Sequence, residues 1–225
     1  MPCESEYNFA NVYMVDVASG LPLFDQFDHI YESVFDVISE TPTYKSGCMS
    51  TIGLPLYVAE HLHGENAYEE YFRANSEINT FLVSRFKTLY RGLATSLSEF
   101  FNMSIHFHPQ LAIPGFHLFR SAPEEPFSGG GWHVDGFGIP HSVTRGTLWS
   151  ITLLLGQKNS EFGIEFKSSS ESDAIERHAH RRGIATVFRS NRLHRIAPIA
   201  CTAPTNRLTL QAHLSVNGRS GVLFW

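Results

Sequence analysis

The stretch GGGWHVDGFG, residues 129–138, holds the residue types in this sequence best suited to chemistry. His133 and Asp135 stand two apart at the end of a strand-like run. Alternation puts both side chains on one face, about 7 Å apart along the backbone, so both can meet one ion. A third ligand must come from elsewhere, and His194, within GIATVFRSNRLHRIAPI, is the best placed: strand, short turn and second strand return it toward the same end. Two histidines and a carboxylate hold a first-row metal on one side and leave adjacent coordination positions open to reactants. Beyond His194 comes RLTLQAHL, where Arg207, Thr209, Gln211 and His213 share one strand face. An inward Arg in an apolar barrel is expensive to bury unless an anion meets it. A dicarboxylate with one end on the metal and the other on Arg207 would meet that need. Arg189, Arg192 and Arg195 are rival anion partners, expected to face outward.

These residues need a frame to bring them together. Before residue 103 the apolar periodicity is helical. Phe24, Phe27, Ile30, Tyr31, Val34, Phe35 and Ile38 make one amphipathic stripe. Ile78, Phe81, Leu82, Phe86, Leu89, Leu93, Leu97 and Phe100 make a longer one, with Asn75 or Ser76 as cap. Residues 41–56 read as a loop. After residue 103 short strand-like runs follow at 105–108, 116–120, 131–135, 147–155, 162–166, 184–189, 193–199 and 207–216, separated by Gly, Pro and polar turns. Strands without intervening helices argue for a β-sandwich or jelly roll rather than βαβ units. Residues 121–130 and the polar segment 167–182 read as connections of functional length. The expectation is one domain over 1–225, mainly β with flanking α. Its first part, 1–102, is mostly helical and packs outside a β core spanning 103–225.

In this order and spacing, His133-x-Asp135, the distal His194 and Arg207-x-Thr209 resemble the Fe(II)/2-oxoglutarate-dependent dioxygenases over residues 103–216. The resemblance implies a double-stranded β-helix of jelly-roll or cupin-like form. It implies Fe(II) on His133, Asp135 and His194, and 2-oxoglutarate chelating that iron while Arg207 and Thr209 hold its far carboxylate. It also implies O2 as co-reactant, with succinate and CO2 released as an unactivated C–H is hydroxylated, desaturated or cyclised. Related halogenases carry a small residue at the carboxylate position, so Asp135 points to oxidation instead. His117, Arg120, Trp149 and His213 are the expected contacts to substrate or to the ligands. The expected substrate is a small molecule such as a free amino acid or a biosynthetic intermediate. A peptidyl or protein side-chain hydroxylase, or a cupin-like metal-binding protein without oxygenase activity, is the alternative.

Other patterns carry less. The pairs His61/His63 and His178/His180 lack a nearby carboxylate in the right pattern and read as surface residues, and His106/His108 as packing or backbone contacts. The glycine run 129–131 precedes a strand and has no Lys-Ser/Thr partner, so it is no phosphate loop, and no GxSxG elbow is present.

Composition sets the outer limits. With 43% hydrophobic residues, 18 Phe, 8 Tyr and 3 Trp among 225 residues, global disorder is excluded. No apolar run approaches the ~18 residues of a membrane span. Cys3, Cys48 and Cys201 form neither a disulfide framework nor a metal clip. The N-terminus carries no basic-then-apolar signal, so a cytoplasmic location is expected. Twelve histidines against 3 cysteines make imidazole the unusual feature. Residues 1–80 hold 13 acids and 2 bases, and the remainder 9 acids and 15 bases, 12 of them Arg. The overall charge of −5 argues against a nucleic-acid partner, while the Arg surplus favours an anionic small ligand.

Overall fold

The computed structural model describes residues 12–20, 25–40, 42–135, 146–158, 162–169, 173–199 and 201–225. Phe24 of the first stripe and Phe137 of the glycine-rich stretch lie outside them. Four helices form: α1 (Asp25–Glu40), α2 (Leu56–His63), α3 (Ala67–Arg85) and α4 (Lys87–Phe101). The strands of the first half are β1 (Val12–Asp16), β2 (Tyr44–Ser46) and β3 (Met49–Ile52). Those of the second are β4 (Ser104–Phe107), β5 (Gly115–Ser121), β6 (Thr147–Lys158), β7 (Gly163–Lys167), β8 (Ile175–Ala179), β9 (Ile184–Arg189), β10 (His194–Ile196), β11 (Thr205–Asn217) and β12 (Ser220–Phe224).

A large sheet runs β1-β9-β6-β11-β5-β3-β2, with β12 beside β11 and β4 beside β12, and a smaller sheet runs β10-β7-β8. Except for β4 with β12, the pairing is antiparallel. This is the mainly antiparallel jelly-roll architecture anticipated from the closely spaced strand runs. Strand β11 sits at its centre, bonded along one edge to β6 and along the other first to β5 and then to β12. Its alternation divides two environments. Leu208, Leu210 and Leu214 join the core beneath the helices, while Arg207, Gln211 and His213 line a cavity on the other face. The helices cover the outer face: Phe27, Val34 and Ile38 of α1 and Leu89, Leu93 and Leu97 of α4 are buried with Leu118 of β5 and Ile151, Leu153 and Leu155 of β6.

The first half is less purely helical than its periodicity predicts. β1 pairs with β9, and the β2–β3 hairpin, inside the expected loop 41–56, extends the sheet from β5. Strands of three to five residues are too short to show alternation against helical surroundings. The long stripe splits at Phe86 (φ −118°, ψ 29°) into α3 and α4. Asn75 caps nothing. It is buried within α3, donates to the Leu54 and Tyr71 carbonyls and accepts from the Leu54 N–H, locking the chain ahead of α2. In the second half, the run 131–135 is not a regular strand: His133 makes a single bridge to His194. The polar segment 167–182 contains β8, whose exposed side carries Ile175, Arg177 and Ala179 and so shows no buried apolar face. No helix among the described residues is long and apolar enough to cross a membrane.

Residue Gly115 shows how tightly the cavity wall is built. A Cβ there would lie 1.8 Å from Trp225 Cζ3, and Tyr71 holds the same region by donating to the Trp225 carbonyl (2.8 Å). Gly115→Ala should destabilise by about 1–3 kcal/mol through overpacking. A thermal melt is expected to shift down by several degrees, and an unchanged midpoint would show that the Trp225 ring gives way freely.

Candidate metal centre and anion pocket

His133 and His194 are brought together by main chain. Each donates its backbone N–H to the other's carbonyl, at 3.0 and 2.9 Å, and the ring centroids lie 4.3 Å apart. Asp135 is placed by its own N–H, which bonds the Ser190 carbonyl at 2.8 Å. The three side chains offer ligand atoms all within 4.8 Å of one another. His133 Nε2 stands 3.6 Å and His194 Nε2 3.5 Å from the Asp135 carboxylate.

The donor chemistry suits a metal. His133 Nδ1 pairs with the Gly131 carbonyl at 2.8 Å and His194 Nδ1 with the Arg192 carbonyl at 2.9 Å. A carbonyl can only accept, so each Nδ1 carries the proton and each Nε2 presents its lone pair. Burial works against the charge of Asp135. His194, His213, a hydrogen bond from the Ser150 hydroxyl and His133 outweigh it and hold the carboxyl below its ordinary range. Ser150 is itself linked to Ser190 Oγ at 2.8 Å. His194 is kept below the usual imidazole value, chiefly by burial. The set therefore offers two imidazole Nε2 atoms and a carboxylate, all within 4.8 Å of one another.

A cavity of about 590 Å³ opens beside this cluster. At one end lies Arg207, 1% exposed. Its guanidinium stacks over Phe119, with its carbon 4.6 Å from the ring centroid, and lies 5.7 Å from that of Phe162. Its one hydrogen-bond partner among the described residues is His180 Nε2, 3.3 Å from Nη1, while Nε and Nη2 have none. Burial pushes Arg207 down to about 9, which leaves it charged at neutral pH. Thr209, on the same face of β11, has a buried and unpartnered hydroxyl. Among the described residues no carboxylate pairs with this cation, and with the Thr209 hydroxyl beside it the arrangement can accept an anion.

The rival arginines are occupied. Arg195 bonds Glu165 at 2.8 Å, Arg192 is paired with Glu176, and Arg189 stacks over Trp149 at 4.5 Å.

The four expected substrate contacts divide by strand face. His117 and His213 line the cavity, both buried. Arg120 and Trp149 face the opposite way. Arg120, on the Phe116/Leu118 face of β5, donates to Ser39 of α1 (2.7 Å) and lies over Phe35. Trp149 packs against Tyr13 and Phe101 beneath the helices. Both are corrections to the sequence reading, which had no means of telling the helix-covered face from the cavity face. Phe127, from the 121–130 connection, does reach the cavity.

Several lining residues were not anticipated: Tyr57 and Tyr68 from the helical half, Phe119 on β5 and Trp225 beyond β12. His180, read as a surface residue, is buried against Arg207, and burial together with that positive charge drives it well below the ordinary imidazole value. Its partner in the pair, His178, bonds Glu176, and His108 Nδ1 accepts the Gln110 and Leu111 N–H groups. Alternation from His178 was the available signal, since it sends His180 to the other side of β8 from the charged Arg177 and Arg181.

The fold is that of the iron- and 2-oxoglutarate-dependent oxygenases, as His133, Asp135, His194, Arg207 and Thr209 had led us to expect. Three solved structures carry the likeness. The chain superposes on an N-substituted L-amino acid dioxygenase from Burkholderia ambifaria AMMD (TM-score 0.54, 16% identity, covering 96% of this chain and 87% of that one). It superposes on the non-haem α-ketoglutarate-dependent epimerase SnoN of nogalamycin biosynthesis (0.53, 10%, 94% and 83%). It also superposes on IDO from Bacillus thuringiensis (0.51, 15%, 94% and 93%). No family model and no curated protein matches the sequence.

Two substitutions probe the cluster. His194→Ala should abolish high-affinity Mn(II) binding measured by calorimetry. Ser150→Ala, which leaves all three ligands in place, should weaken binding about 10–100-fold by freeing the carboxylate. Wild-type affinity in His194→Ala would remove that residue from the ligand set.

Proposed function

We propose that this protein is an Fe(II)- and 2-oxoglutarate-dependent oxygenase that oxidises a C–H bond of a small molecule and releases succinate and CO2. The observation that carries the reading is Arg207: a fully buried guanidinium with two unpartnered nitrogens, sharing one cavity with the His133–Asp135–His194 cluster. A metal site alone needs no such cation, whereas a dicarboxylate bound at both ends does. The donor set fits iron(II), which when bound supplies the redox centre where O2 is reduced as 2-oxoglutarate is decarboxylated.

The chain's own residues do the positioning. Ser150 and the Ser190 carbonyl hold Asp135 in place, and the Gly131 and Arg192 carbonyls fix the tautomers of His133 and His194. Arg207 and Thr209 hold the far carboxylate of 2-oxoglutarate, and His180 leaves the guanidinium fork open to it by occupying only Nη1. Phe119 and Phe162 keep water from that ion pair and so strengthen it. Strands β1, β2 and β3 belong to the same sheet as β5, β6 and β11, which supports one domain over the whole chain. The likeness to SnoN and to the amino acid dioxygenase supports a small-molecule substrate.

Purified protein supplied with Fe(II), O2 and 2-oxoglutarate should form succinate, and Asp135→Ala should form none. Arg207→Ala should raise the 2-oxoglutarate concentration needed for half-maximal rate at least tenfold, with the metal affinity retained. No succinate across a substrate library would leave a metal-binding barrel of cupin type. An unchanged 2-oxoglutarate requirement in Arg207→Ala would move the anion site elsewhere.

A further inference from the structure

The same cavity carries an inference about substrate charge that rests on the function just proposed. Its described lining contains three formally charged side chains: Asp135, Arg195 and Arg207. Asp135 belongs to the metal cluster, and Arg207 to the cosubstrate. Arg195 is neutralised by Glu165, to which both its Nε and Nη2 donate, and its guanidinium lies over Trp132 at 4.6 Å. Arg120, the expected partner for a substrate carboxylate, faces α1 instead. Every charge of the described lining is thus committed before a substrate arrives.

The rest of the cavity offers ring surface and neutral hydrogen-bonding groups. Tyr57, Tyr68, Leu111 and Trp225 supply apolar wall. Trp225 stacks near His117 with centroids 5.0 Å apart, and burial and Arg207 push His117 down to about 3, so it is an uncharged ring as well. Gln211 and His213 are polar groups that β11 presents to the cavity on the same strand face as Arg207. His213 has a fully buried Nδ1 with no partner among the described residues, a hydrogen-bonding atom waiting for a ligand.

We propose that the substrate is an uncharged, ring-bearing molecule that presents a hydroxyl or carbonyl to Gln211 and His213, and that free amino acids and other carboxylates are rejected. A carboxylate or ammonium entering this wall would lose its water with no uncommitted opposite charge among the described lining residues to replace it, whereas a neutral hydroxyl loses little and gains the His213 atom. Rejection comes from the absent partner charge rather than from size.

Calorimetry on the full chain loaded with Mn(II) tests this in two arms. In the first, 2-oxoglutarate is titrated alone. In the second, with 2-oxoglutarate bound, three probes are titrated: 2-naphthol, 2-naphthoate and L-tryptophan. We expect 2-naphthol to bind at least tenfold more tightly than either charged probe, and Gln211→Lys to reverse the order of naphthol and naphthoate. Equal or tighter binding of naphthoate or tryptophan to the wild type, or no binding of any ring probe, overturns the proposal. Failure of 2-oxoglutarate to bind, with naphthol still preferred by the Mn(II) protein, would overturn the cosubstrate reading and leave the charge selectivity standing.

Discussion

The structure turns on one unbalanced charge. Arg207 sits fully buried at the centre of the sheet, over an aromatic ring and against the His180 imidazole, with no carboxylate among the described residues paired to it. Such a cation opposes folding, because the water it loses is only partly replaced. The surrounding β11–β5–β6 ladder must therefore be stable enough to hold it. The leucines on the other face of β11, packed under α1 and α4, contribute that stability. A carboxylate brought to this guanidinium would meet it between aromatic rings, where its charge is least screened.

The metal cluster is built on a different principle. Its geometry comes from main-chain bonds: the reciprocal His133–His194 pair, the Asp135 N–H on Ser190 and the two carbonyls that fix imidazole tautomers. None of these depends on side-chain identity outside the ligands. At Gly129, φ is +99°, a value only glycine adopts without strain. The segment passes close to Pro198 and Ile196, so a side chain there would push the bridge apart.

Much of the β half was legible because its strands alternate. RLTLQAHL separates leucines from Arg, Thr, Gln and His on sight, and β11 keeps that separation. The errors fall where alternation is weak or ambiguous. β8 is short and largely polar, so His180, just past its end, passed for surface. Trp149 and Arg120 lie on strands that were correctly found, but alternation gives two faces without saying which one faces the cavity. The helices decide that, by covering the Phe116, Leu118 and Trp149 side. In the helical half, the strands β1 and β3 are stabilised by partners more than 60 residues away, β2 joins the sheet only through β3, and nothing local distinguishes them.

What the sequence determined by itself was the chemistry: which residues could hold a metal, which strand could offer a cation beside it, and that a jelly-roll frame would join them. These follow from residue type and period, which are local properties. What only the tertiary structure decided was the electrical balance of the cavity. Whether an arginine is free or paired depends on the carboxylate opposite it, and Glu165, Glu176 and Ser39 reach Arg195, Arg192 and Arg120 from other elements. Coulombic and hydrogen-bond partners are set by distance in space, so the one unpaired guanidinium among the described cavity residues became visible only when the chain was folded.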